Sequence, residues 1–111
     1  MLRRPRLIIV DRLDHLASGT RYVLSFIEVT PALTVVRFIG LGAGFVQEIV
    51  DLAPILRDDT GHVYRSTSVV TSGLLLPEEV MFGYEGAPGP EVRVLKLVGA
   101  DRRNLQVVRL R

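Results

Sequence analysis

The sequence predicts an all-β fold, an antiparallel β-sandwich of about seven to eight strands that forms one domain over residues 1–111. Three observations predict it. Short segments rich in β-branched and aromatic residues recur about every dozen residues, as in sandwiches and barrels. A hairpin signal, from Asp58 to Gly61, separates two apolar segments. A chain of 111 residues with 48% apolar side chains can also bury a core without disulfides or metal.

The first three predicted strands cover residues 7–16, 21–30 and 33–39. Each carries apolar side chains on both alternations over much of its length, which is typical of strands covered on two faces. The turn 17–20 separates the first strand from the second. Pro31 ends the second strand because proline cannot donate a hydrogen bond to a β-ladder.

The segment Gly40–Gly44 contains three glycines and interrupts the strand pattern. Apolar residues at 45, 46, 49, 50 and 52 then follow a helical period, and Pro54 ends the segment. We therefore expect at most one short helix, near residues 45–52. An irregular crossover between the two sheets is the alternative.

The hairpin at residues 55–64 is the sharpest local signal in the chain. Asp58 at the first turn position and Gly61 at the fourth are typical of a type I turn closed by a left-handed glycine. Tyr64 is expected to pack against the sheet. The remaining strands are predicted at 65–72 (as an edge strand or a loop), 80–84, 91–98 and 105–110.

The last two-thirds of the chain carries a family resemblance. Leu56 to Tyr64 has the order leucine, acid, acid, glycine and tyrosine, and it resembles a hairpin of bacterial telokin-like, immunoglobulin-like accessory domains. The matching stretches, within about residues 18–98, also include Gly19-Thr20-Arg21, Leu76-Pro77-Glu78, Phe82 and Val94-Leu95-Lys96-Leu97. Glu78 stands where that family usually has glycine. The resemblance implies an immunoglobulin-like sandwich, and it transfers no catalytic residue because the family has no assigned chemistry.

Basic residues concentrate at both ends of the chain, although the net charge is only +2. The terminal arginines are Arg3, Arg4, Arg6, Arg102, Arg103, Arg109 and Arg111. If the first and last strands lie side by side, these arginines share one edge and form a candidate patch for anions or an acidic partner. The alternative is that they protect strand edges from aggregation. Nucleic acid is disfavoured because no aromatic stacking platform accompanies them.

A dinucleotide-binding enzyme domain is a weaker alternative. Gly40, Gly42 and Gly44 form a glycine loop after a strand, and Asp58 follows at the end of the next strand. However, the third glycine falls one residue early, with Phe45 at the expected position. The predicted helix is also too short for a parallel crossover, and everything after residue 55 has the pattern of β-structure.

Other catalytic and metal sites are poorly supported. Asp58, Asp59 and His62 are close in sequence, but no Gly-x-Ser-x-Gly elbow accompanies them. A calcium cage needs six to eight oxygen ligands. Glu78 and Glu79 are adjacent, so on a strand they face opposite sides and cannot form a glycosidase pair. The chain has no cysteine for zinc or nucleophilic chemistry. We therefore expect no catalytic residue, no cofactor and no metal.

The segment Leu7, Ile8, Ile9 and Val10 is apolar on both alternations, and we expect it to act as an edge strand that pairs with another sheet. It is too short for a signal peptide or a membrane helix. This predicts a cytoplasmic location, or a cell-envelope or extracellular location if the sequence is part of a longer exported chain. The sequence thus predicts a non-catalytic protein-interaction or structural module, with another protein or a second copy of itself as partner. No small-molecule substrate is inferred.

Overall fold

Two antiparallel sheets pack face to face in the computed structural model, which describes residues 6–72 and 77–110. The elements in chain order are β1 (Arg6–His15), β2 (Arg21–Val29), β3 (Leu33–Gly40), α1 (Phe45–Leu52), β4 (Ile55–Asp58), β5 (Val63–Tyr64), β6 (Ser66–Ser72), β7 (Glu78–Glu85), β8 (Val94–Val98) and β9 (Asn104–Arg109). The predicted all-β sandwich with one short helix is confirmed. The described residues form nine strands rather than seven or eight, and β5 contains only two residues.

The larger sheet has the strand order β1-β2-β3-β7-β6, and the smaller sheet has the order β5-β4-β8-β9. The first three strands form a meander within one sheet, whereas an immunoglobulin domain divides its second and third strands between two sheets. Every strand pair in the described part of the chain is antiparallel. The parallel βαβ unit required for dinucleotide binding is therefore not formed by these residues.

The core lies between the sheets and is rich in aromatic rings. Tyr22 stacks on Phe45 with ring centroids 5.3 Å apart, and Phe38 meets Phe82 edge to face at 5.9 Å. Phe45 belongs to α1, which buries this ring and Ile49 against the sheets. A Cβ atom at Gly40 would lie 2.6 Å from the Phe45 Cβ atom. The helix therefore docks closely because residue 40 has no side chain.

Side chains of the larger sheet join it to β9 and to Leu110, the residue after β9, along one side of the sandwich, which we call the β1–β9 seam. Arg6 donates to the Leu110 carbonyl (3.1 Å), Arg12 to the Val107 carbonyl (2.7 Å) and the Tyr22 hydroxyl to the Leu105 carbonyl (3.1 Å). Alternate residues of an edge strand direct their backbone groups away from the sheet. The bonds to residues 105 and 107 therefore occupy carbonyls through which β9 would accept a further strand.

The one helix among the described residues has eight residues. It is too short to cross a membrane.

Candidate functional site

The hairpin between β4 and β5 has the turn that the sequence predicted. The Gly61 amide donates to the Asp58 carbonyl at 3.2 Å, and the Asp58 amide donates to the His62 carbonyl at 3.0 Å. Gly61 has a φ of 91°, a left-handed conformation that glycine adopts without steric cost. The predicted tight turn from Asp58 to a left-handed Gly61 is confirmed.

The Asp58 carboxylate organises this turn. One oxygen accepts hydrogen bonds from the Thr60 amide (2.8 Å), the Thr60 hydroxyl (2.6 Å) and the His62 amide (3.2 Å), and the other from the Tyr64 hydroxyl (2.7 Å). Burial alone would raise the pKa of Asp58, but these donors outweigh it and lower the pKa. Burial and the bond to Asp58 raise the pKa of Tyr64. The carboxylate is therefore engaged in holding the hairpin.

The neighbouring polar residues of the turn also have structural partners. The Asp59 carboxylate accepts from the backbone amides of Arg93 (3.0 Å) and Val94 (3.3 Å), and these bonds lower its pKa. The His62 ring packs edge-on against Tyr64, with centroids 4.5 Å apart. Within residues 6–72 and 77–110, no group of three His, Asp or Glu side chains is arranged to hold a metal ion.

The adjacent glutamates at the start of β7 face opposite sides, as their spacing predicts. Glu78 accepts a hydrogen bond from the Phe45 amide at the start of α1 (3.1 Å). Glu79 forms an ion pair with Arg37 and accepts a bond from the Ser72 hydroxyl (3.1 Å). Both residues are half-buried.

The structure separates the terminal arginines into two groups. Arg6 and Arg109 lie near the end of β9, whereas Arg102 and Arg103 lie in the turn before its start. The six residues of β9 span roughly 20 Å, so these groups do not form one continuous patch. Arg103 also lines a cavity with Asp14 and Asp101, which reduces the local positive charge. Arg3, Arg4 and Arg111 lie outside the described residues. A role in anion binding stays a prediction.

The predicted edge segment 7–10 lies in β1, which is indeed an outer strand of the larger sheet. Leu7 and Ile9 point outward, with Ile9 67% exposed, while Ile8 and Val10 are half-buried against the core. A bulge follows Ile9, and Asp11 within it has a φ of 46°. Bulges and charged residues are devices that protect an edge strand from pairing.

The opposite outer strand, β6, is less protected, because its register irregularity lies at its start, between Ser66 and Ser68. Its seven residues, Ser66 to Ser72, include no charged side chain, and all seven are exposed. Val70 is 54% exposed. The sequence predicted either an edge strand or a loop here, and the structure shows an edge strand. The sequence signal for this edge strand is a run of seven β-branched and hydroxyl residues without a charge.

Apart from Glu28 and the Arg37–Glu79 ion pair, the outer face of the larger sheet is largely apolar, which was not predicted from the sequence. One row of paired residues crosses all five strands and consists of Ile9, Phe26, Arg37, Met81 and Val70. The Arg37 guanidinium lies over the Phe26 ring, 5.5 Å from its centroid. Next to β6, a groove of about 300 Å³ on this face is lined mainly by apolar groups. An exposed apolar face of this kind is typical of an interaction surface.

The chain matches no protein family, no curated protein and no solved structure. The resemblance to telokin-like domains therefore stays a prediction, and a function must be argued from the strand edges and surfaces themselves.

Proposed function

We propose that this protein is a non-catalytic interaction module that self-associates by pairing β6 with β6 of a second copy. The observation that carries the proposal is the exposed, uncharged β6 at the edge of the larger sheet. An edge strand presents unpaired backbone donors and acceptors, and a second strand can extend the sheet through them.

The other three outer strands are less suited to pairing. β5 has only two residues. Two β9 carbonyls already accept side-chain hydrogen bonds across the β1–β9 seam. β1 is interrupted by its bulge, and Arg12 and Asp14 beyond the bulge are held by Gln106 of β9. Among the described strands, β6 offers the longest edge without charge.

The sequence of β6 is compatible with itself in an antiparallel pair. A two-fold axis normal to the sheet at Val70 places Val70 opposite the partner's Val70, Val69 opposite the partner's Thr71, and Ser68 opposite the partner's Ser72. These residues follow the irregularity between Ser66 and Ser68, so they lie in the regular part of the strand. Valine, threonine and serine are suited to cross-strand pairs, and no like charges oppose each other.

The expected interface is small but specific. Cross-strand pairs contribute about 0.2–1 kcal/mol each, and backbone hydrogen bonds add roughly 0.5–1.5 kcal/mol each. The pair would also make the apolar outer faces of the two copies continuous. Because a single strand pair lies at the low end of interface size, we expect a concentration-dependent dimer with a Kd on the order of micromolar or weaker.

The test is the mass in solution, measured by sedimentation velocity over a concentration series. Val70→Lys places a charge at the centre of the proposed pair and should give a monomer at every concentration. Val107→Lys is the matched control, because Val107 is an exposed valine on the occupied edge of β9 and its replacement should leave the dimer intact.

Two results would overturn the proposal. The first is a wild-type protein that stays monomeric throughout the series. The second is a dimer that survives Val70→Lys but is lost on Ile9→Lys, since that result assigns pairing to the predicted β1 segment 7–10 instead.

A further inference from the structure

The sandwich is open on the side opposite the β1–β9 seam. There the chain passes from β5 in one sheet to β6 in the other through Arg65 alone. A pocket of about 360 Å³ lies at this opening, between α1, the β4–β5 hairpin and the β6–β7 pair. Its floor is formed by buried aromatic rings of Tyr64, Phe82 and Tyr84.

Apolar side chains from four different elements surround the mouth of this pocket. They are Val50 of α1, Ile55 of β4, Val63 of β5 and Val69 of β6, and each is between 36% and 52% exposed. Exposed apolar side chains that converge on one concave site are typical of a ligand pocket. The rim therefore favours a ligand with an apolar body.

The polar groups of the pocket restrict the ligand further. The Tyr64 hydroxyl donates to Asp58 and the Tyr84 hydroxyl to the Pro54 carbonyl, both at 2.7 Å, so neither proton is free for a ligand. The charged group of the lining is Arg65. Its side chain is 84% exposed and only reaches the Glu85 carboxylate at 4.0 Å. This leaves a cationic group at the mouth of an apolar pocket.

We infer that this inter-sheet pocket binds a medium-chain carboxylate, with the apolar chain on the aromatic floor and the carboxylate at Arg65. A volume of 360 Å³ equals roughly a dozen water-sized groups at about 30 Å³ each. Decanoate has about that number of non-hydrogen atoms. The inference goes beyond the proposed self-association, because binding needs only the pocket of one copy.

The first test measures the binding of octanoate, decanoate and dodecanoate below their micelle concentrations by isothermal titration calorimetry. Each CH₂ group that enters an apolar site strengthens binding about fourfold. Decanoate, with two more CH₂ groups, should therefore bind about fifteenfold more tightly than octanoate. Dodecanoate should gain little more, because its chain exceeds the pocket. Binding that is unsaturable, or that strengthens by the same factor at every step, would overturn the inference.

The second test addresses the charge at the mouth. Decanol should bind about two- to fivefold more weakly than decanoate, the range expected for an exposed ion pair. Arg65→Ala should lower decanoate affinity to that of decanol and leave decanol unchanged. Arg57→Ala, which removes an exposed arginine of β4 outside the pocket lining, is the matched control and should bind decanoate normally. Equal affinity for decanoate and decanol in the wild type would refute the assignment of a carboxylate.

A third variant tests the location of the site. Val63→Asp adds a negative charge to the rim of the pocket at an exposed position, and it should weaken decanoate binding at least tenfold. Circular dichroism checks that the variant retains its β-structure. Unchanged decanoate affinity in a folded Val63→Asp protein would place any binding elsewhere and overturn the inference.

Discussion

Asp58 should be one of the largest single contributors to stability in the β4–β5 hairpin. It is 6% exposed and accepts four hydrogen bonds, from Thr60, His62 and Tyr64. Asp58→Ala removes all four and leaves the buried Tyr64 hydroxyl without its partner. Hydrogen bonds to charged groups contribute about 1.5–3 kcal/mol each, and they are not additive within one network. We expect Asp58→Ala to lower the free energy of unfolding by about 3–4 kcal/mol.

Asp58→Asn separates the contribution of the charge from that of the hydrogen bonds. An asparagine oxygen can still accept from Thr60 and His62, and its amide can donate to the Tyr64 oxygen. We expect a smaller loss of about 1–2 kcal/mol at neutral pH. Comparison of the two variants shows how much of the stabilisation requires a carboxylate.

The stability that Asp58 contributes should also depend on pH. The pKa of Asp58 is lower in the folded protein than in the unfolded chain, so the unfolded chain binds more protons between the two values. The stabilisation is therefore present above the unfolded pKa, near pH 4, and is lost as the pH falls through the folded pKa. Asp58→Asn should reduce this acid loss without abolishing it, because the pKa of Asp59 is also lowered.

Urea unfolding at neutral pH measures the loss of stability in Asp58→Ala and in Asp58→Asn. Repeating it at successively lower pH measures how the stability depends on acid. Asp51→Asn replaces an exposed carboxylate on α1 and serves as the control, since it should leave the stability at neutral pH close to wild type. A loss below about 1 kcal/mol for Asp58→Ala, or a wild-type acid slope in Asp58→Asn, would refute the assigned role of this carboxylate.

Two further predictions concern the helix contact and the seam. Gly40→Ala should destabilise the protein by about 1–3 kcal/mol, because the added Cβ atom would lie 2.6 Å from the Phe45 Cβ atom. Thermal unfolding measures this loss of stability. An unchanged stability would mean that α1 can move away from residue 40. Arg12→Ala should free the Val107 carbonyl and speed hydrogen exchange along β9, and it should increase self-association by exposing a second edge. Unchanged exchange in Arg12→Ala would mean that this bond does not protect β9.

Local features were predictable from the sequence, because their determinants lie within a few residues. Asp58 specifies the turn because its carboxylate accepts a hydrogen bond from the Thr60 amide, and Gly61 does so because it adopts a left-handed conformation. The helix at residues 45–52 followed from its apolar period and Pro54. The returning strand of the predicted hairpin is β5, which contains only two residues.

Features that depend on how the sheets pack were not predictable. Residues 65–72 were predicted only as an edge strand or a loop, because β6 is exposed along its whole length and lacks the alternation that identifies a half-buried strand. The division of the terminal arginines depends on the antiparallel course of β1 and β9 across the seam. The mouth of the inter-sheet pocket combines single residues from four elements, and no local pattern relates them.

The seam also has a consequence for the order in which the molecule folds. Arg6 and Leu110 are 104 positions apart in the chain, and Arg12 and Val107 are 95 apart. Contacts of such long separation slow folding, because a large loop must close before they form. The meander β1–β2–β3 has only short connections and can pair while the ribosome is still producing the later strands. On a ribosome, the contacts of β1 with β9 can therefore form only after the end of the chain has been made, although β1 can already pair with β2.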